Sequence, residues 1–199
     1  RIHMDYAGPV DGKYILLIVD SFSRWLEAFV TSNKTSLTTL VHLRETVARY
    51  GIPRVIVTDN DPTFVSAQFE HFCSVNGVKH LKSPPFHPSS NGQCERYVGT
   101  LKLALKKMSS EGGDLQQNLS LFLFRQRMMT SASGSSPALR MLGRELRTKL
   151  DLLKERPPRK TFNCPPKFSV GEAVMTRDYR SSKPKWIPGR ISRVCGTRI

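Results

Sequence analysis

The sequence predicts an α/β domain, a mixed five-stranded sheet flanked by helices, followed by a short strand-rich segment. Three observations predict it. Residues 1–31 hold three strand-like runs separated by turn residues, residues 36–81 alternate helical and extended periodicities, and from residue 168 the pattern becomes strand-like again. With 199 residues the chain can bury a sizeable core.

Residues 2–7 read as a strand that carries Asp5. Asp11-Gly12 is a tight-turn signal leading into residues 13–19, whose near-continuous apolar run suits a strand covered on both faces. Residues 20–23 turn the chain again, and residues 25–30 return it. Asp20 stands before Ser21 at a strand end, where a local side-chain to backbone turn is its expected role, in preference to metal ligation. From residue 36 to 50, Leu37, Leu40, Val41, Leu43, Val47 and Ala48 follow helical spacing, with Thr35 or Ser36 as the cap and Gly51-Ile52-Pro53 as the stop. This is a crossover helix feeding a strand over residues 53–58, parallel to the earlier ones. A helix over 66–76 buries Phe69, Phe72 and Val75, Gly77 ends it, and residues 78–81 form a fifth strand. Three antiparallel strands, helix, strand, helix, strand is the order of an RNase H-like domain, in which the first and fourth strands lie side by side.

The Pro, Ser and Gly content of residues 83–92 predicts a mobile loop placed to gate substrate. The chain then turns helical from 91 to about 108. Glu95, Gly99, Lys102 and Lys106 fall on one stripe, and Leu101, Leu105 and Met108 fall on another. Residues 109–113 break this helix, a Leu- and Phe-rich helix over 115–129 packs on the core or on a second subunit, and residues 137–143 form a short terminal helix. The expected organisation is a core over 1–110, a helical extension over 111–143, a basic extended linker over 144–167 and a β segment over 168–199.

The net charge of +15 and a pI of about 10.1 point to a polyanionic partner, most simply nucleic acid. Residues 1–139 carry +4 of that charge and residues 140–199 carry +11, which makes the tail the electrostatic handle. Cys73, Cys94, Cys164 and Cys195 form no C-x-x-C pair, and His3, His42, His71, His80 and His87 are not at ligand spacing. Zinc ribbons and disulfide frameworks are therefore disfavoured, and reduced thiols of an intracellular protein are expected. No run of about 18 apolar residues and no basic-then-apolar leader occurs, so neither a membrane span nor secretion is expected.

Asp5 and Asp59 lie on two strands, and Glu95 lies near the start of a helix, with 35 residues between it and Asp59. Three carboxylates so placed can converge on a divalent metal, and by themselves they would serve a nuclease as well as a transferase. This pattern comes with Thr58-Asp59-Asn60 around the second acid. Around the third stand His87-Pro88, then Ser90-Asn91-Gly92, then Glu95-Arg96. Together these words resemble the catalytic core of retroviral integrases, the DDE superfamily, and most nearly the Gypsy-type LTR retrotransposon integrases. Residues 142–148, and Gly171-Glu172 through Trp186-Ile187-Pro188-Gly189, resemble the downstream parts of those Pol polyproteins, the last part being similar to their SH3-like barrel.

The resemblance implies metal-dependent 3′-end processing and strand transfer of element DNA into host DNA. It implies two Mg²⁺ (or Mn²⁺) ions, with Asp5 bridging both and Asp59 and Glu95 each completing one coordination shell. Asn60, Asn91, Lys102 and Lys106, and in the tail Arg177, Lys185 and Arg190, are the expected DNA contacts. The partners implied are element ends and target DNA, the assembly a homo-multimer of tetramer size or larger, and the place of action the nucleus. The chain is then expected to be a polyprotein fragment without the zinc-binding N-terminal domain, its SH3-like segment incomplete. Two stretches depart from the pattern. Asp61 stands where integrases usually have Gly, placing an extra negative charge beside the metals, and residues 126–130 differ from the usual wording. These departures keep open a domesticated or defective derivative that binds DNA without catalysis, alongside a nuclease of the same fold.

Overall fold

The structure, a computed structural model, describes residues 1–83, 92–110, 112–130, 134–153, 169–180 and 185–193, with the side chain of Gln93 outside that description. Asp11 and Gly12 both take left-handed backbone (φ 49° and 72°), and the turn they make joins β1 (Ile2–Val10) to β2 (Lys13–Asp20) in antiparallel register. Leu17 stands opposite Asp5, and the register shifts between Ala7 and Val10. Gly8 sits in that irregularity at φ +135°, where an added Cβ would lie 3.0 Å from the Lys13 carbonyl oxygen. β3 (Leu26–Thr31) returns antiparallel to β2.

Thr35 caps α1 (Ser36–Tyr50), its side chain accepting from the Thr38 N–H. The chain then enters β4 (Val55–Thr58), α2 (Ala67–Val75, capped by Ser66) and β5 (Lys79–Lys82). Sheet order is β3-β2-β1-β4-β5, with β4 parallel to β1 and β5 parallel to β4. β4 is thus parallel to β1 but opposed to β2, which corrects the expectation that it would run parallel to all earlier strands. α3 (Gly92–Ser110), α4 (Leu115–Met128) and α5 (Pro137–Leu142) follow.

Two apolar layers sandwich the sheet. On one side Met4, Leu16, Ile18 and Ile56 meet Leu40 and Leu43 of α1 and Phe69 and Phe72 of α2. On the other, Ala7, Ile15, Leu17 and Val19 meet Cys94, Leu101 and Leu105 of α3 and Leu119 and Phe122 of α4. Two details differ from the sequence expectation. Leu37 and Val41 are exposed while Thr39 and Thr46 are buried, their hydroxyls donating to the Thr35 and His42 carbonyls, so the covered face of α1 is rotated from the apolar one. Val75 is 69% exposed, because as the last residue of α2 it lies off the face that buries Phe69, Phe72 and Cys73.

Residues Arg1–Thr148 form one compact unit and Lys149–Ile199 a second. The second contains a 3₁₀ turn (Lys149–Leu152) and an antiparallel pair, β6 (Ala173–Asp178) with β7 (Lys185–Arg190). Residues 84–91 of the predicted 83–92 gating loop and most of the predicted linker lie outside the described residues. No helix among the described residues is long and apolar enough to cross a membrane.

Candidate active site

Strand register places the first two acids. β1 and β4 pair Ile2 with Ile56 and His3 with Val57, and this offset carried two residues further sets Asp5 level with Asp59 just past the end of β4. Side chains alternate along a strand, so Asp5 shares a face with Ala7, the face covered by α3. Glu95 is exposed in the first turn of that helix, immediately after the fully buried Cys94. Two stripes one residue apart explain this placement. Cys94, Val98, Leu101 and Leu105 seat the helix on the sheet, and Glu95, Gly99, Lys102 and Lys106, the next residues round, face outward.

Each aspartate is held locally. The Tyr6 N–H donates to Asp5 Oδ1 at 2.7 Å, and the Asp61 N–H donates to Asp59 Oδ1 at 3.1 Å. Burial pushes the Asp5 carboxyl up to about 6; the Tyr6 hydrogen bond opposes that push, and the Asp59 and Glu95 charges add to it. Burial likewise pushes the Cys94 thiol well up, and the same three acids reinforce the shift. The three carboxylates therefore share one electrostatic field. They do not yet form one ligand set: among the described residues, no three His, Cys, Asp or Glu side chains are grouped so as to hold a metal ion. Like carboxylate charges repel one another, and a divalent cation bound among them would offset that repulsion. As a donor set, all-carboxylate oxygen fits a hard divalent cation.

The remaining expected residues are dispersed. Lys102 and Lys106 are exposed on the outward stripe of α3. Asn60 is exposed and its Nδ2 donates to the Ser83 carbonyl at 3.1 Å, tying the loop after β4 to the end of β5. Asn91 lies outside the described residues. In the second unit Arg177, Lys185 and Arg190 are exposed on the β6-β7 pair, Arg177 over the Tyr179 and Trp186 rings and Arg190 donating to the Gly171 carbonyl. Asp20 accepts from both the N–H and the hydroxyl of Ser23 at 2.7 Å, the local turn expected of it.

Two residues near the acids escaped the sequence reading. Cys94 looked like an isolated thiol, yet its spacing to Leu101 and Leu105 marked it as core. Lys34, between β3 and α1, forms an ion pair with Asp61 and feels the charges of Asp59 and Asp5. No local signal pointed to Lys34.

The Integrase core domain family matches residues 1–88. Over 219 aligned residues the chain is 32% identical to the Caenorhabditis elegans protein K02A2.6, covering 98% of this chain and 17% of that protein. It is 30% identical to the Gag-Pol polyprotein of woolly monkey sarcoma virus, covering 90% of this chain and 13% of the polyprotein. The chain thus spans a small part of the length of these relatives. Among solved structures, the simian T-cell lymphotropic virus intasome in complex with PP2A regulatory subunit B56 gamma superposes with TM-score 0.65 at 22% identity, over 98% of this chain and 69% of that one. The HTLV-2 integrase catalytic core domain in complex with magnesium superposes with TM-score 0.58 at 23% identity, over 70% and 93%. Residues 1–88 are therefore similar in sequence to the integrase core domain, and the unit they begin has the RNase H-like fold of the retroviral-type integrase catalytic core.

Proposed function

We propose that this chain is the integrase segment of a Gypsy-type LTR retrotransposon Pol polyprotein, catalysing 3′-end processing and strand transfer of element DNA into host DNA in the nucleus. The observation that carries the reading is the strand register that sets Asp5 level with Asp59 on the sheet face covered by α3, whose first turn carries Glu95. These three would hold two Mg²⁺ (or Mn²⁺) ions; the magnesium complex of the HTLV-2 core supports this. Bound there, the ions would supply Lewis-acid stabilisation to the attacking and leaving oxygens of an in-line displacement at phosphorus.

The chain's own part is positioning. Backbone N–H groups of Tyr6 and Asp61 fix the two aspartates, and the buried stripe of α3 sets the direction of Glu95. As the family resemblance implies, attack would fall to water in end processing and to a DNA 3′-hydroxyl in joining, while the Cys94 thiol, buried and pushed well up by burial, takes no part. Lys102 and Lys106 on α3, with Asn60 next to Asp59 and Asn91 just before α3 in sequence, would contact the DNA end. Arg177, Lys185 and Arg190 would supply sequence-independent phosphate contacts from the tail. A tetramer or larger assembly fits the joining of two ends, and solved neighbours that include an intasome and dimeric and trimeric cores support a multimer.

The test is incubation of the full-length protein with Mg²⁺ and a duplex carrying the element's terminus. Joined products are expected. Glu95→Gln should lower joining by about 10²-fold or more, since metal stabilisation of such a transition state is worth several kcal/mol. Cleavage without joining would instead indicate the nuclease, and salt-sensitive binding alone the defective or domesticated DNA binder; joining that persists in Glu95→Gln would refute the site.

A further inference from the structure

Lys34 lies on the loop between β3 and α1, and Asp61 lies on the loop between β4 and α2 that opens with Asp59. Their side chains form an ion pair and are only 32% and 15% exposed. The loops are laced around it: Ser36 Oγ donates to the Thr63 carbonyl at 2.8 Å, Thr63 Oγ1 donates to the Lys34 carbonyl at 3.4 Å, and the Thr63 N–H donates to Asp61 Oδ1 at 3.0 Å. From this clamp two short routes lead to the aspartates. The Asp61 N–H donates to Asp59 Oδ1, and Lys34 Nζ stands 5.7 Å from the centre of the Tyr6 ring, whose own N–H donates to Asp5. Burial works against the Lys34 charge, but the hydrogen bond and charge of Asp61, with the charges of Asp59 and Asp5, together outweigh it and hold the ammonium.

The sequence alone made Asp61 an extra negative charge beside the metals. The structure supplies that charge with a partner. We propose that Lys34 and Asp61 are positioning residues that act as a charge-compensating pair and set the divalent-cation affinity of the Asp5, Asp59 and Glu95 cluster. Asp61 draws a cation toward the cluster, Lys34 repels it, and the paired charges nearly cancel. The inference rests on the metal-binding reading given above. In a partly screened setting, removing one of two such charges shifts cation affinity by about 3- to 10-fold.

The test is a charge cycle on the full chain, stripped of metal and titrated calorimetrically with Mg²⁺ and separately with Mn²⁺. Lys34→Met should bind about 3- to 10-fold tighter, Asp61→Asn should bind about 3- to 10-fold weaker, and the double variant should return to within about twofold of the parent. Opposite signs distinguish charge compensation from a loop clamp, because loss of a clamp lowers thermal stability and weakens binding in both single variants. Same-sign or absent shifts in the singles, with the parent binding cation, overturn the pair's role and leave the metal site standing. A parent that binds neither cation overturns both. Metal-free thermal melts check that each variant folds, and Lys34→Gln with Asp61→Gly repeats the cycle should either first variant fail to.

Discussion

Burial pushes the Asp5 carboxyl up to about 6, and the neighbouring Asp59 and Glu95 charges add to the effect. The folded state therefore binds this proton more tightly than the unfolded chain does, whose carboxyl titrates at its ordinary 3.8. By linkage, the ionised Asp5 costs the metal-free fold stability that is present below pH 4 and lost as pH rises through 6. Asp5→Asn keeps an oxygen for the Tyr6 N–H and removes the charge. In chelator-treated protein at pH 7.5 it should raise stability by about 1–2 kcal/mol, read by denaturant unfolding, while eliminating strand joining. An unchanged or lowered stability would mean that the field at Asp5 is already compensated. At this scale the sequence was informative where chemistry is local: Asp20 before Ser21 makes the turn it signals. It was silent where the partner is remote, since nothing around Lys34 announces Asp61.

The turns and caps that bound the elements were legible because they are local chemistry. Asp11-Gly12, the Thr35 cap, and Gly77 in left-handed backbone after α2 all follow from residue type. Width of burial was not legible. The same helical period that located α1 assigned Leu37 and Val41 to its covered face, and the sheet and α2 cover Thr39 and Thr46 instead. Within β1 the irregularity at Gly8 comes just after Asp5 and depends on a conformation that residues with a Cβ rarely adopt. Gly8→Ala should cost about 1–3 kcal/mol, because the new methyl would meet the Lys13 carbonyl and the backbone would be strained, and chemical denaturation measures it directly. A loss below about 0.5 kcal/mol would show that the bulge relaxes freely.

Across the molecule, charge is divided: residues 140–199 hold +11 of the +15. Replacing Arg177, Lys185 and Arg190 together by Ala in the full chain should weaken DNA binding at all sequences alike. It should also reduce the slope of log K against log salt by about 2–3, since each phosphate no longer neutralised removes roughly 0.9. An unchanged slope would assign the phosphate contacts elsewhere. The sequence by itself determined the order of elements, the charge division, and the identity and spacing of the acids, because periodicity, turn chemistry and composition act over a few residues. Only the tertiary structure decided that Asp5 and Asp59 stand level across parallel strands, that Cys94 is buried under α3 while Glu95 next to it stays exposed, and that Lys34 answers Asp61. Those outcomes depend on sheet register and on which loops meet at the strand ends, and no local pattern encodes either.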